Sequence, residues 1–520
     1  MISSKTITEY EHENAELIRS IDRPAFHLSP PVGWMNDPNG FNRYGESYHL
    51  FYQYYPFNAS WGAVSWGHAI SSDLLRWEHV PPALTPDQGY DEGGCFSGTA
   101  IERDGKQMLM YTGFVPVPED PQRRGVQTQC IAFGDGLTYE KYEGNPVITS
   151  EDLPAGGDPY EFRDPKIYRA EDGTYRVLLP NRNWEHGTQL LRYRSEDGFS
   201  WSFDRVIASN RDETGRDLLG WMWECPDWFP LGGQQVLIAS AMDVAPGTPA
   251  GSFGTLPGTP AGGTEPVDHL AYPGGKTSFC LIGETTEEGD FHISSHRPLD
   301  QGLDFYAAQT MEDADGRRIL IGWMQDPDTA EHRGIDYPIN GQMSLPRELE
   351  LKDGRLTQRP IREFEKLRTE PVILRGQRLD SARTFEGIRG RCIDMEIHLR
   401  PAGENVYREF TLRFAQGQVN GEEVFTSFTY APEDSMVTID RSHSGAGHTK
   451  KTRRQVKVRD RGGELTMRLV LDRMSAEVFI NDGEQVLSNV IYTDRSAEDI
   501  TFFIDGVAMV DIAKYRIKEK

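Results

Sequence analysis

Trp34-Met35-Asn36-Asp37-Pro38-Asn39-Gly40 is the first of three acidic motifs that fall at one phase of a repeating unit. The second is Glu161-Phe162-Arg163-Asp164-Pro165 and the third is Trp223-Glu224-Cys225-Pro226. Each central acid precedes a turn glycine by eight or nine residues, and an apolar strand follows that glycine. Gly45 leads into Tyr48-His49-Leu50-Phe51-Tyr52, Gly173 into Tyr175-Arg176-Val177-Leu178-Leu179, and Gly233 into Val236-Leu237-Ile238. Two further units share the pattern without a central acid. Phe96-Ser97-Gly98 precedes Gly105, and Asp304-Phe305-Tyr306-Ala307 precedes Gly316. Five hairpins at intervals of roughly 60 to 80 residues predict radial repetition of small sheets. Side chains at one phase of every unit then converge on one axis.

Composition agrees with a mostly β chain. Among 520 residues, 52 Gly and 32 Pro break the apolar runs into strand-sized pieces. This length suffices for two or three domains. The formal net charge of -25 opposes binding to nucleic acid or anionic membrane. The one basic run, Lys450-Lys451-Thr452-Arg453-Arg454, reads as an exposed strand end. No apolar segment has the length of a signal peptide or a membrane span, so the expected location is cytoplasmic. Cys95, Cys130, Cys225, Cys280 and Cys392 are odd in number and lack Cys-x-x-Cys spacing, which argues against a disulfide framework and a structural zinc site.

The expected organisation is an N-terminal extension over 1–23, a five-bladed β-propeller over 24–355, a linker with a short helix over 356–370, and a C-terminal β-sandwich over 371–520. The helix is placed after Pro360, and the sandwich rests on period-two strands such as 392–399, 465–471 and 476–480. Residues 245–264 carry Pro-Gly-Thr-Pro-Ala-Gly twice. They read as an insertion in the fourth unit, with a flap over the site as the sharper interpretation.

Three carboxylates converging at the mouth of a channel suit glycoside cleavage. Asp37, short and set between Asn36 and Pro38, is the candidate nucleophile, expected to stay ionised. Glu224, among Trp221, Trp223 and Trp228, is the candidate acid/base, with its pKa expected to rise. Asp164 is expected to stay charged by pairing with its neighbour Arg163 and to stabilise positive charge on the sugar. Any one of these motifs alone would read as a turn; their common phase is what separates them from turns.

WMNDPNG, FRDP and WECP, in this order, resemble glycoside hydrolase family 32, the invertases, fructan hydrolases and sucrose-6-phosphate hydrolases. Segments 51–56, 66–69, 96–99, 304–307, 321–324, 341–348 and 477–483 add to the likeness, which spans most of the chain. The resemblance implies a five-bladed propeller joined to a β-sandwich, retaining hydrolysis of β-fructofuranosides, and no metal or organic cofactor. It assigns Asp37 as nucleophile, Asp164 as transition-state stabiliser and Glu224 as acid/base. Asn36, Gln53, Trp61, Phe96, Ser97, Arg163 and Trp323 would line the fructosyl pocket. Phe-Ser-Gly-Thr in place of the usual Phe-Ser-Gly-Ser, the 245–264 insertion and the stretch 332–338 depart from the pattern and bear on substrate choice. The expected function is an exo-acting β-fructofuranosidase for sucrose and short fructooligosaccharides. Sucrose-6-phosphate hydrolysis, fructosyl transfer and, outside catalysis, sugar binding on a hydrolase scaffold are the alternatives. The sandwich is read as structural or as a homo-oligomer contact.

Overall fold

The computed structural model describes residues 2–120, 124–211, 215–248, 250, 271–286, 289–327, 338–352, 354–445 and 451–519. Most of the 245–264 insertion and residues 332–337 lie outside the described residues, as does Lys450 of the basic run.

Five antiparallel sheets succeed one another along the first two thirds of the chain. The first holds Gly33–Tyr44, Ser47–Tyr55, Ser65–Ser71 and Glu78–Leu84. The second holds Gly94–Arg103, Lys106–Pro116, Gly125–Gly134 and Tyr139–Lys141. In the third, Gly157–Phe162 and Lys166–Arg169 both pair with Tyr175–Asn183, and Gly187–Ser195 and Ser202–Ser209 follow. The fourth holds Trp223–Leu231, Gln234–Val244, Gly275–Thr285 and Phe291–Pro298, and the fifth Tyr306–Glu312, Arg318–Trp323, Arg347–Lys352 and Arg355–Pro360.

The leading strand of each sheet touches the leading strands of its two neighbours, so the five form a ring. The ring is tied by sequence-distant backbone, because Ile339–Asn340 pairs in parallel with Gly33 and Trp34. The five repeat glycines, Gly45, Gly105, Gly173, Gly233 and Gly316, all take φ between +60° and +82°. They close the hairpins between first and second strands in a conformation that a Cβ would strain. That puts every leading strand in the same orientation, with the acid-bearing phase at the same end.

The remainder is a sandwich. A six-stranded sheet in the order Arg368–Leu379, Ala508–Ile517, Ile393–Pro401, Leu465–Leu471, Ser475–Ile480, Gln485–Val490 packs on a five-stranded sheet of Arg453–Lys457, Met436–Asp440, Glu422–Ala431, Glu409–Val419 and Asp499–Asp505. Inward residues alternate along both sheets, for instance Met395, Ile397 and Leu399 against Phe410, Leu412 and Phe414, and share one core. The basic run thus enters the edge strand Arg453–Lys457.

The stretch 356–370 is divided. Residues up to Pro360 complete the fifth sheet, and Arg368 begins the sandwich. The turn between them, Arg362–Leu367, is the short helix expected after Pro360, wound as a 3-10 helix. Its six residues tuck Phe364 and Leu367 into the core, a span short enough for the tighter winding. Near the N-terminus, Ser3 caps an α-helix over Ser4–Asn14, which buries Ile7 beside Glu78–Leu84.

Candidate active site

The leading strands are interrupted where the motifs lie. Pairing register shifts between Met35 and Pro38, between Phe96 and Gly98, between Glu224 and Asp227, and between Tyr306 and Gln309. In the third sheet the chain leaves the ladder altogether between Phe162 and Lys166. An extra residue in one strand turns side chains away from the pleat, here toward the ring axis. The backbone shows the cost: Asp164, Cys225 and Ala307 take φ of +66°, +48° and +55°. Non-glycine residues in this region are strained and persist only where surrounding structure fixes them.

These bulges open onto one cavity of about 390 Å³. Asn36, Asp37, Gln53, Trp61, Phe96, Ser97, Arg163, Asp164, Glu224 and Trp323 all line it, so every residue expected at the site is there. Three sheets contribute the acids. Ser97 Oγ donates to Asp37 Oδ2 at 3.1 Å, and the Cys225 thiol lies 3.7 Å from the same oxygen. Cys225 also reaches Asp164 Oδ2, through its backbone N–H at 2.9 Å and its sulfur at 3.6 Å. The thiol is therefore wedged between two carboxylates. Glu224 Oε1 accepts from Arg163 Nε at 3.1 Å and Nη2 at 2.8 Å, while Glu224 Oε2 accepts from the Tyr306 hydroxyl at 2.6 Å. Aromatic walls complete the cavity: Phe96 stacks on Phe114, Trp61 meets Phe96 edge-on, and Trp34 meets Trp323 edge-on.

The electrostatics depart from the sequence-based expectations and reverse the one for Glu224. Burial pushes Asp37 up to about 6, and the Glu224 charge adds to the rise against hydrogen bonds from Asn36, Ser97 and Cys225. Burial likewise pushes Asp164 up to about 7, with Arg163 and the Cys225 N–H opposing and Glu224 and Asp37 reinforcing. Glu224, expected to rise, is held below the usual range. Burial opposes its ionisation, but the Arg163 guanidinium and the Tyr306 hydroxyl outweigh that. The cause is the pairing: Arg163 bonds Glu161 and Glu224, not its sequence neighbour Asp164. The cation that touches Glu224 favours its ionised form most, and the buried Asp37 and Asp164, facing that charge, are left to compete for protons.

Tyr306, Glu161, Lys276, Arg124, Gln127 and Tyr160 also line this cavity, and Cys225 touches two of its acids; none of these was expected there. Two of them carried a signal. Cys225 follows Glu224 within the third motif, and Tyr306 belongs to the Asp304-Phe305-Tyr306-Ala307 segment that precedes the repeat glycine of the fifth unit.

Comparison with known proteins agrees with this geometry. Residues 27–360 match the model of the glycosyl hydrolases family 32 N-terminal domain, and residues 363–519 match that of the family 32 C-terminal domain. A sucrose-6-phosphate hydrolase of Escherichia coli is 33% identical over 94% of this chain and 93% of its own, and an Escherichia coli raffinose invertase is 34% identical over 92% and 91%. A Bombyx mori family 32 beta-fructofuranosidase of known structure, also solved as a variant with sucrose, is 32% identical and superposes with a TM-score of 0.78 over 99% of this chain and 98% of its own. The structure of a sucrose-6-phosphate hydrolase from Lactobacillus gasseri, 26% identical, superposes with a TM-score of 0.79 over 100% and 97%. With the two domain models together matching residues 27–360 and 363–519 and the motif residues gathered in one cavity, the chain belongs to glycoside hydrolase family 32.

Proposed function

We propose that this protein is a retaining, exo-acting β-fructofuranosidase that hydrolyses sucrose and short fructooligosaccharides on a five-bladed propeller. The observation that carries the reading is the meeting of Asp37, Asp164 and Glu224, from three different sheets, in one cavity with Arg163 and Tyr306 on Glu224. Asp37 attacks the anomeric carbon of the terminal fructosyl unit while the Glu224 carboxyl protonates the departing glycosidic oxygen. The fructosyl group is then an ester of Asp37. Glu224, now a carboxylate, takes a proton from water as its oxygen attacks the same carbon, releasing fructose and regenerating Asp37. Asp164, within reach of the Cys225 N–H and beside Arg163, holds ring hydroxyls and stabilises the positive charge that develops on the sugar.

Glu224 has to gain a proton for the first step, although Arg163 and Tyr306 favour its ionised form. Sugar hydroxyls supply the change. By hydrogen bonding to Arg163 and Tyr306 they loosen the grip of both on Glu224, and the bound ring removes water from its remaining surface.

Hydrolysis of sucrose-6-phosphate is a second reading, supported by the relatives that bear this name and by Arg124 and Lys276 in the cavity wall, which suit a phosphate. Reducing-sugar release from sucrose, sucrose-6-phosphate, kestose and inulin, run beside Asp37→Ala, separates the two. Fructose from sucrose and kestose, absent in the variant, is the expected result. A marked preference for the phosphorylated sugar would select the second reading, and no release from any of the four would defeat both. NMR of the first-formed fructose tests the stereochemistry: the inverted anomer would exclude an Asp37 ester.

A further inference from the structure

Two tryptophans of the described residues stand out in solvent, Trp61 at 46% and Trp184 at 61% exposure. Both follow the second strand of their sheet, Ser47–Tyr55 and Tyr175–Asn183, before the third begins. In each sheet that second strand ends opposite the start of the leading strand, as Tyr55 opposite Trp34 and Asn183 opposite Gly157. Trp184 therefore lies on the same face of the ring as the three acids. Trp61 already lines their cavity; Trp184 does not.

Trp184 is held in place. Arg182, only 3% exposed, sets its guanidinium carbon 5.7 Å from the Trp184 ring centre and 5.5 Å from that of Trp221. Arg182 is fixed in turn by the Trp221 carbonyl at 2.6 Å and by Asp217 at 2.8 Å. Asp217 also binds Arg211, which donates to the Trp184 carbonyl at 2.7 Å. A buried cation against an exposed indole orders a flat apolar surface that serves no core. A surface ordered in advance loses little freedom when a ligand meets it.

The brace leads to the cavity. Trp221 N–H donates to Met242 O at 2.7 Å, and Met242 Sδ lies 3.9 Å from Arg163 Nη2. Asn181 donates to Glu161 O at 2.9 Å and pairs with Phe162, so Trp184, in the turn just past Asn183, stands three residues beyond the cavity wall. At no more than about 3.3 Å per residue that is at most about 10 Å, a distance that a second or third ring of a linear substrate covers.

From this placement we propose that Trp184, braced by Arg182, is a remote stacking subsite for a distal sugar ring of a fructooligosaccharide, so that this enzyme favours chains longer than a disaccharide. The inference rests on the fructosidase reading of the cavity. Sugar rings present a C–H face that an indole covers, with their hydroxyl edges left in water.

The test compares kcat/KM for sucrose and for the tetrasaccharide nystose in the wild type, Trp184→Ala and Trp184→Phe. The expected result is a fall of about three- to tenfold in the nystose-to-sucrose ratio for Trp184→Ala, carried by KM, with most of the ratio kept by Trp184→Phe. An unchanged ratio, or equal losses on both sugars, would overturn the proposal. Calorimetric binding of nystose to Asp37→Ala, with and without Trp184→Ala, is the companion measurement. If the wild type cleaves no fructoside, the reading of the cavity falls and calorimetry alone decides. Nystose binding weakened by Trp184→Ala then upholds the platform, and binding that is absent or unaffected removes it.

Discussion

His27 couples the two domains through a charge that pH can remove. Its Nδ1 lies 2.7 Å from Asp472 and its Nε2 2.8 Å from Glu477, both in the sandwich, and all three side chains are wholly buried. Two carboxylates on two ring nitrogens require a donor at each, which is the imidazolium. Burial opposes that charge, but the two acids prevail and lift the His27 pKa to about 9. Asp472, despite its burial, is drawn down to about 2 by His27 and by the N–H groups of Ala25 and Arg473. A raised folded-state pKa contributes stability that is complete below the unfolded value of 6.5 and is lost as pH climbs through about 9. At about 1.4 kcal/mol per pH unit between the two, the contribution is about 3 kcal/mol. For a chain of this length, that is a shift of about 3 °C in Tm. His27→Gln removes the charge and leaves two buried carboxylates short of a partner, at a cost of about 3–5 kcal/mol near neutrality. Melting curves of both proteins from pH 7 to 9.5 should therefore converge, the wild type losing about 2 kcal/mol more than the variant, the part of that contribution still present at pH 7. Asp37 and Asp164, at about 6 and about 7, are common to both proteins and their titration cancels, so the difference in this window belongs to His27. Parallel losses in the two proteins would refute the assignment of a charged His27.

Four further outcomes are expected. Asp37→Ala and Glu224→Ala should each lower kcat by about a thousandfold or more with circular dichroism unchanged, and only Glu224→Ala should recover on a substrate whose leaving group needs no proton. Tyr306→Phe removes the donor to Glu224 Oε2, so the alkaline limb of kcat/KM moves up and the rate falls by about tenfold or more. Ser97→Ala, by the same logic, moves the acid limb set by Asp37 above about 6; pH–rate profiles check both. Gly302→Ala places a Cβ 2.1 Å from the Ser488 carbonyl oxygen across the domain boundary, and should lower Tm by about 1–3 °C through about 1–3 kcal/mol of overpacking.

Much of the fold was legible because its signals are local. The positive φ at Gly45, Gly105, Gly173, Gly233 and Gly316 is a backbone demand that glycine advertises, and their spacing marks the sheets. Alternation in 392–399 and 465–471 likewise marks sandwich strands that carry core residues at every second position. The winding of Arg362–Leu367 was not legible, since periodicity over six residues does not separate an α-helix from a 3-10 helix.

The site divides along the same line. Which residues meet follows from phase within the repeat, and all ten expected ones share the cavity. How they pair does not follow from adjacency. Arg163 and Asp164 are neighbours in sequence, which suggested an ion pair. Successive residues of extended chain point to opposite sides, and Asp164 leaves the extended region with a positive φ. Arg163 instead crosses to Glu224, sixty-one positions on, and to Glu161, two positions back on its own side. Tyr306 reaches Glu224 from a third sheet. The charge state of each acid is thus fixed by contacts between sheets, and in a ring of repeats those are the contacts a linear reading sees least. The same fact makes the chemistry adjustable: exchanging a donor on one sheet retunes an acid on another and leaves the motif around that acid untouched.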